Sequence, residues 1–332
     1  MANEFRLSVA VPVHNEESVL PKLLVRLGEV LDAIPGGPHE IVFVDDGSSD
    51  RTFAILEQAS RQDPRILVVS LSRNFGHQSA ISAALDNVSG DATVVMDGDL
   101  QDVPEAIPQF VEKHLQGYDV VYAKRVRRKE PWPLKVCYFV FYRLMARLSD
   151  TRLPLDSGDF GLMSRRVVEE VRRMPEHHRY LRGMRSWVGF RQTGVAVERA
   201  ERHSGNSKYS LSRLIKLAAD GIFAFSIVPI RAAALLGALA MLVSLIYAGY
   251  ALYIKLFSQR SPQGFTGLLV TVIFLSGMIL FFLGMIGEYV GRIYEETKAR
   301  PQYIVARKAG RFVDESPESA AIRHHSRSLG RS

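Results

Sequence analysis

A buried strand and an acidic turn lie side by side in residues 94–102, which read Val94-Val95-Met96-Asp97-Gly98-Asp99-Leu100-Gln101-Asp102. The apolar residues predict the end of a core strand, and carboxylates at positions i and i+2 of an extended chain point to the same side. Asp97 and Asp99 are therefore placed to bind one hard divalent cation, Mg²⁺ or Mn²⁺. We expect this turn to hold the metal and diphosphate of a nucleotide sugar. The alternative is a solvated turn without a ligand, because short motifs also match by chance.

Strands and helices alternate around this turn. Apolar runs predict five strands, at 7–13, 40–44, 66–70, 92–96 and 120–123, and helices between the first four of them. The alternation predicts an α/β fold with a Rossmann-like, mostly parallel sheet covered by helices on both faces. Ligands bind at the carboxyl ends of the strands in such sheets. Polar side chains that follow the strands are therefore expected to converge there: Asn15, Glu16, Asp45, Asp46, Arg73, Asp97 and Asp99.

The composition limits the classes of function. The chain has 332 residues and a formal net charge of +7, which allows about two domains and favours anionic partners. The single cysteine excludes an internal disulfide framework and favours a reducing compartment. A Gly-x-Gly-x-x-Gly motif and a P-loop are both missing, which argues against a dinucleotide dehydrogenase and a P-loop NTPase.

Two long apolar segments predict a membrane anchor. Ala232–Ile254 and Gly264–Gly287 contain no charged residue, and each exceeds the roughly 20 residues that span a bilayer core. We expect a C-terminal two-helix transmembrane hairpin whose short loop, residues 255–263, lies outside, because the larger basic cluster follows the second helix. Amphipathic helices at Trp132–Leu148 and Tyr209–Val228 are expected to rest in the lipid interface, although half-buried helices of a soluble domain have the same pattern.

Further polar groups are candidates for binding phosphate. Asp156 and Asp159 form a second carboxylate pair, and the loop from Arg199 to Tyr209 contains Arg202, Lys208, hydroxyls and a glycine. Such a loop is suited to phosphate oxygens, although it is also typical of an ordinary solvated connection.

With these motifs in order, the sequence resembles the inverting GT-A-fold glycosyltransferases of family 2 that act on polyprenyl phosphates. It is similar to the bactoprenol glucosyltransferases and the dolichyl-phosphate mannose synthases. The resemblance extends over about Leu7–Pro301 and is carried by six motifs: Val11–Glu16, Val44–Asp50, Asp97–Asp102, Asp156–Phe160, Gly205–Tyr209 and Gly287–Tyr294. The Gln-x-x-Arg-Trp motif of the processive synthases is absent from the sequence, which argues against polymer extension.

The resemblance implies a role for each matching residue. The nucleoside pocket would be lined by Pro12, His14, Glu16, Val44 and Asp46. The metal and the donor diphosphate would be held by Asp97, Gly98, Asp99 and Gln101, and Arg73 would lie at the same edge. Phosphate charge would be met by Arg125, Arg202 and Lys208. Asp156 or Asp159 would orient the sugar or the acceptor, or act as a base.

The resemblance also implies a reaction and its partners. The expected reaction transfers a hexose, most simply glucose from UDP-glucose, to polyprenyl (undecaprenyl) phosphate with inversion, at the cytoplasmic face of the membrane. Alternative donors are a UDP-N-acetylhexosamine, GDP-mannose and a UDP-aminoarabinose derivative. A non-catalytic, membrane-anchored nucleotide-sugar-binding protein is a further alternative. Expected partners are the donor, the lipid acceptor, membrane lipids, copies of this chain in a homo-oligomer such as a tetramer, and a separate flippase, but no nucleic acid.

We therefore expect four regions in a multi-pass protein of the cytoplasmic membrane, with the catalytic domain in the cytoplasm. Residues 1–130 form the nucleotide-sugar-binding core, and residues 131–228 form the acceptor and interface region. Residues 229–290 hold the two transmembrane helices, and residues 291–332 form a basic, partly disordered tail.

Overall fold

The computed structural model describes residues 5–125, 157–176, 179–197 and 264–310, together with single helical positions between 233 and 257. Within these ranges the strands are β1 (Leu7–Val13), β2 (Glu40–Asp45), β3 (Ile66–Leu71), β4 (Ala92–Val95), β5 (Val120–Arg125), β6 (Ser157–Ser164), β7 (Gln192–Val197) and β8 (Val305–Ala309). The helices are α1 (Leu20–Asp32), α2 (Thr52–Gln62), α3 (His77–Asn87), α4 (Ile107–Leu115), α5 (Arg165–Arg173), α6 (Leu181–Trp187) and α7 (Phe265–Thr297).

The eight described strands form one mixed sheet in the order β7-β5-β6-β4-β1-β2-β3-β8. β1 runs parallel to β2 and β4, β2 is parallel to β3, and β5 is parallel to β7. β6 is antiparallel to β4 and β5, and β8 is antiparallel to β3. The α/β fold and the first five strands are confirmed, but the sheet is mixed because of β6 and β8, which the sequence analysis did not identify.

Helices cover both faces of the sheet. One face is packed by α1, α2 and α4, which contribute Leu23, Leu56 and Phe110 to the core. The other face is packed by α3, α5 and α6, which contribute Ile81, Val168 and Met184. With both faces covered, the carboxyl ends of β1, β2 and β4 form the open edge at which a ligand can bind.

One described helix is long and apolar enough to cross a membrane by its length and composition. Within α7, the candidate span is Phe274–Thr297, in which a stretch of 18 residues has a mean hydropathy of 1.6, and none of this stretch is buried. Its expected partner, Ala232–Ile254, is described only at scattered positions, which are helical. The structure therefore provides one candidate span, and the expected two-helix hairpin is not shown. The interface helices expected at 132–148 and 209–228 also lie outside the described residues.

The chain returns from α7 to the sheet. The amide of Ser72 donates to the carbonyl of Ile304 at 2.9 Å, and β8 then pairs with β3. The hydroxyl of Tyr303 donates to Asp86 Oδ2 at 2.6 Å, close to the end of α3. Residues that sequence analysis assigned to a C-terminal tail thus form an edge strand, and they tie the end of the apolar helix to the α/β domain.

Candidate active site

The turn after β4 is held by its own carboxylates. Asp99 Oδ1 accepts the Gln101 amide at 3.0 Å, and Asp102 Oδ2 accepts the Asp97 amide at 3.0 Å. Leu100 has a left-handed backbone conformation with φ of 59°, which the turn requires. These bonds fix the Asp97 and Asp99 backbone at the carboxyl end of β4, beside the end of β1.

Gly98 packs directly against β1. A Cβ atom at this position would lie 2.5 Å from Val13 Cγ1 and 3.1 Å from the carbonyl oxygen of Pro12.

Gly98→Ala is therefore expected to lower the free energy of unfolding by about 1–3 kcal/mol, because the buried Val13 must shift. Gly28→Ala in α1 is the matched control, since nothing lies within 4 Å of its Cβ, and it should stabilise the helix by roughly 0.5–1 kcal/mol. Denaturant unfolding of both variants measures the difference, and equal stabilities would show that the turn does not pack as described.

A cleft brings the two predicted carboxylate motifs together. Its lining includes Asp97, Gln101 and Asp102 from the turn after β4, and Asp159 from β6. Arg182 of α6 lies on the same cleft, and Phe160 and other apolar side chains complete the wall. The cleft therefore combines oxygen ligands with a cation, a composition that suits a phosphorylated ligand.

Asp159 and Arg182 form a partly buried, two-point ion pair in the lining of this cleft. Arg182 Nε donates to Asp159 Oδ1 at 2.8 Å, and Arg182 Nη2 donates to Oδ2 at 3.1 Å. Burial by itself raises the pKa of Asp159, but the charge and hydrogen bonds of Arg182, with the charges of His77 and Arg185, together outweigh it, and the pKa lies below its usual range. Asp159 is therefore ionised at neutral pH and is better suited to positioning than to accepting a proton.

A second arginine, Arg185, is buried close to this ion pair. Arg185 is 1% exposed and donates from Nη2 to the carbonyl of Gly158 at 3.1 Å. Burial lowers the pKa of Arg185 to about 10, although Asp159 acts in the opposite direction. At neutral pH it remains a cation, so two positive side chains lie close to Asp159.

His77, the first residue of α3, lies between the two carboxylates. Its Nε2 is 3.4 Å from Asp97 Oδ1 and 3.9 Å from Asp159 Oδ2. The preceding loop is fixed by Asp46, whose carboxylate accepts the amides of Phe75 at 2.7 Å and Gly76 at 2.9 Å. Asp46, predicted for the nucleoside pocket, thus also holds the loop that places His77.

The other residues predicted for the nucleoside pocket cluster at the ends of β1 and β2. Pro12 and Val44 are paired across these strands and are buried. His14 is exposed, with Nδ1 2.9 Å from the carbonyl of Asp46 and Nε2 3.2 Å from Asn74 Nδ2. The first contact requires a proton on Nδ1, which leaves Nε2 to accept from the amide. Glu16 follows, and its own amide donates to Thr52 Oγ1 at 2.9 Å.

Arg73 follows β3 at the same edge of the sheet, and its backbone packs against Gly47 in the turn after β2. Its guanidinium carbon lies 4.1 Å from the ring centroid of Phe75, and its side chain lines a second cavity that does not include the turn after β4.

The structure does not describe the side chains of four other predicted site residues. Asp156, Arg202 and Lys208 are not among the described residues, and only the backbone of Arg125 is described, at the end of β5.

The donors in the turn suit a hard divalent cation. Asp97, Asp99 and Gln101 provide carboxylate and amide oxygens, which Mg²⁺ and Mn²⁺ prefer. Among the described residues, no group of three or more histidine, cysteine, aspartate or glutamate side chains forms a complete cation site. The residues therefore fit a cation that shares its coordination with ligand or water oxygens.

His77, Arg182 and Arg185 belong to the site but were not predicted from the sequence. The available signal was the spacing of Arg179, Arg182 and Arg185 among apolar residues in a short segment, which is typical of cations drawn into a partly buried site. His77 carries no comparable local signal, because its role depends on two carboxylates that are distant in the sequence.

Comparisons with known proteins agree on one family. The model described as glycosyl transferase family 2 matches residues 8–172. The glycosyltransferase YkcC of Bacillus subtilis is 45% identical over 311 residues, which cover 93% of this chain and 96% of that protein. The bactoprenol glucosyl transferase of Shigella phage SfV is 39% identical over 90% of this chain and 98% of its own length. A prophage bactoprenol glucosyl transferase homolog of Escherichia coli is 38% identical over 91% of this chain and 99% of its own length.

Solved structures include distant neighbours. Glucosyl-3-phosphoglycerate synthase from Mycobacterium tuberculosis, in complex with Mn²⁺, UDP and glucosyl-3-phosphoglycerate, is 21% identical. The similarity covers 66% of this chain and 78% of that one, with a TM-score of 0.49.

Proposed function

Because this chain belongs to glycosyl transferase family 2, with a mixed α/β fold of the GT-A type, we propose that it transfers glucose from UDP-glucose to a polyprenyl phosphate. It is a glycosyltransferase, and the names of the relatives that match nearly its whole length support glucose and a bactoprenol-type lipid. The observation that carries the proposal is the cleft that joins Asp97 and Gln101 to the Asp159–Arg182 pair.

In this proposal, two groups of residues bind the nucleotide-sugar donor. Asp97 and Asp99, with Gln101, hold Mg²⁺ or Mn²⁺, which would stabilise the leaving diphosphate as a Lewis acid when bound. His14, Glu16 and their neighbours at the ends of β1 and β2 bind the nucleoside. Gly98 allows the turn to approach β1, so that the diphosphate and the nucleoside lie along one continuous edge.

The acceptor needs little base catalysis. A phosphate monoester has a second pKa near ~6, so it is mostly dianionic at neutral pH and is already a nucleophile. Repulsion between this dianion and the donor diphosphate costs about 4 kcal/mol per charge pair at ~4 Å and an effective dielectric of ~20. Arg182, together with Arg125, Arg202 and Lys208, offsets this repulsion. Asp159 keeps Arg182 oriented, and direct displacement then inverts the anomeric centre.

The membrane anchor follows from the lipid acceptor. Exposing a polyprenyl chain to water costs ~0.8 kcal/mol per CH₂, so the site must reach the bilayer surface. We propose a hairpin of α7 with the segment 232–254, interface helices at 132–148 and 209–228, and a catalytic domain on the cytoplasmic side. A homo-oligomer and a separate flippase belong to the same proposal.

One experiment tests the substrates. Membranes that contain the full chain are incubated with Mn²⁺, polyprenyl phosphate and one radiolabelled donor at a time: UDP-glucose, UDP-N-acetylglucosamine, GDP-mannose or UDP-aminoarabinose. Label from UDP-glucose is expected in the organic phase, and omission of the lipid should abolish it. Transfer from another donor would replace glucose in the proposal. No transfer from any donor, with donor binding intact, would instead identify a non-catalytic binding protein.

A further inference from the structure

A second cavity, of about 430 Å³, lies between the α/β domain and the end of the apolar helix. Its wall on the domain side includes Arg73, Gln78 and Arg179, and its other wall includes Glu295, Lys298 and Arg300. The cavity is therefore formed jointly by the sheet domain and by the segment that leaves α7.

The cavity carries excess positive charge. Four cations and one carboxylate line it, and within the described ranges none of the four cations pairs with an acid. Arg179 donates to the carbonyl of Met174 at 2.6 Å, and Lys298 lies 4.1 Å from the ring centroid of Tyr294. These contacts use neutral partners, so the charges are available to an anion.

The first turn of α3 adds to the positive electrostatic potential of the cavity. Gln78 and Ser79 line the cavity, and they lie at the N-terminal end of an 11-residue helix. A helix N-terminus carries positive partial charge, which favours a phosphate. Arg179 Nε is also buried and has no hydrogen-bond partner among the described residues.

The position of the cavity indicates the source of the phosphate. Lys298 and Arg300 follow directly after Thr297, the last residue of the candidate membrane span. The charge-free part of α7 ends at Gly287, so Lys298 and Arg300 lie on the aqueous side of the lipid interface, where the surface potential of anionic lipids attracts basic residues. We propose that this cavity binds the phosphate headgroup of an anionic membrane phospholipid, separately from the transfer site.

The geometry separates this lipid from the acceptor. Asp97, Gln101 and Asp159 line the first cleft and do not line the second cavity, so a phosphate bound there is not placed for transfer. The two sites are nevertheless adjacent. Gln78 Oε1 accepts the amide of Leu181 at 3.0 Å, and these residues are next to His77, which lies near Asp97 and Asp159, and to Arg182, which lines the first cleft. A bound headgroup therefore braces the elements that hold the transfer site.

The test uses the purified full chain in a neutral detergent. The unfolding midpoint is followed as dioleoylphosphatidylglycerol, dioleoylphosphatidylcholine or inorganic phosphate is titrated. Phosphatidylglycerol is expected to stabilise the protein saturably and phosphatidylcholine is not. The double variant Lys298→Gln/Arg300→Gln should weaken the apparent affinity for phosphatidylglycerol by roughly tenfold or more, since each basic residue near a lipid surface contributes severalfold.

Two further variants make the result specific. Lys22→Gln/Arg61→Gln removes the same charge from α1 and α2, on the opposite face of the sheet, and should change the affinity by less than about twofold. Glu295→Gln removes the one acid of the cavity and should tighten binding, which a general loss of folding cannot produce. Equal weakening by both double variants would overturn the proposal. Stabilisation by inorganic phosphate that equals that by phosphatidylglycerol would overturn the lipid as its source.

Discussion

Replacing Asp97 with asparagine is expected to reduce sugar transfer by roughly a thousandfold while the protein remains folded. A metal acting as a Lewis acid contributes several kcal/mol to the transition state, and each 1.36 kcal/mol is tenfold in rate. Asp97→Asn keeps the side-chain shape but removes one of the two charges that attract the cation. The Asp97 backbone amide, which holds the turn through Asp102, is unchanged.

The measurement is the rate of transfer to polyprenyl phosphate over a series of Mn²⁺ concentrations, together with Mn²⁺ binding by electron paramagnetic resonance. Asp91→Asn is the matched control, because Asp91 precedes β4 at the opposite edge of the sheet and accepts the Arg6 amide at 2.8 Å. It should retain full activity. Unchanged Mn²⁺ binding and turnover in Asp97→Asn would exclude Asp97 as a metal ligand.

Replacing Arg182 with methionine is expected to destabilise the protein by roughly 3–5 kcal/mol, in addition to removing activity. The variant leaves the Asp159 carboxylate, which is 9% exposed, without its two-point partner, and removing one partner of a buried ion pair is costly even though Arg185 and His77 stay nearby. Adding Asp159→Asn removes that charge. The double variant should therefore recover part of the lost stability, because the buried Arg185 then loses its nearby carboxylate, and none of the activity.

Unfolding midpoints of the full chain in detergent measure this double-mutant cycle. Arg173→Met is the control, because its pair with Glu170 is exposed on α5 and such pairs contribute at most about 1 kcal/mol. If the Arg182→Met and double variants were equally unstable, the pair would not be coupled as its geometry indicates.

The pH dependence of stability provides a second readout of the same pair. The pKa of Asp159 is lower in the folded protein than its usual value. Its contribution to stability is thus present above the ordinary carboxyl pKa, near ~4, and is lost as the pH falls through the lower folded value. The stability gap between wild type and Arg182→Met/Asp159→Asn should narrow in acid.

Much of the fold could be predicted locally. β1 to β5 are rich in Val, Ile, Leu and other apolar residues, and their mostly buried environment agrees with that composition. β6 was missed because it contains two glycines, which are poor strand formers. Gly161 is required by a neighbour in space, since a Cβ there would lie 2.5 Å from the carbonyl oxygen of Val121. β8 was not predicted, because the charged residues Arg307 and Lys308 interrupt its apolar pattern. Pairing with β3 stabilises this strand.

The amino-acid sequence by itself determined the position of the acidic turn, the strands that support it and the apolar helix, because each depends on residues within one short window. Only the tertiary structure decided that Asp159 pairs with Arg182, that His77 lies between two carboxylates and that Arg73 belongs to a second cavity. Those relations join residues far apart in the chain, and a charge or a hydrogen bond acts through distance in space rather than separation in sequence.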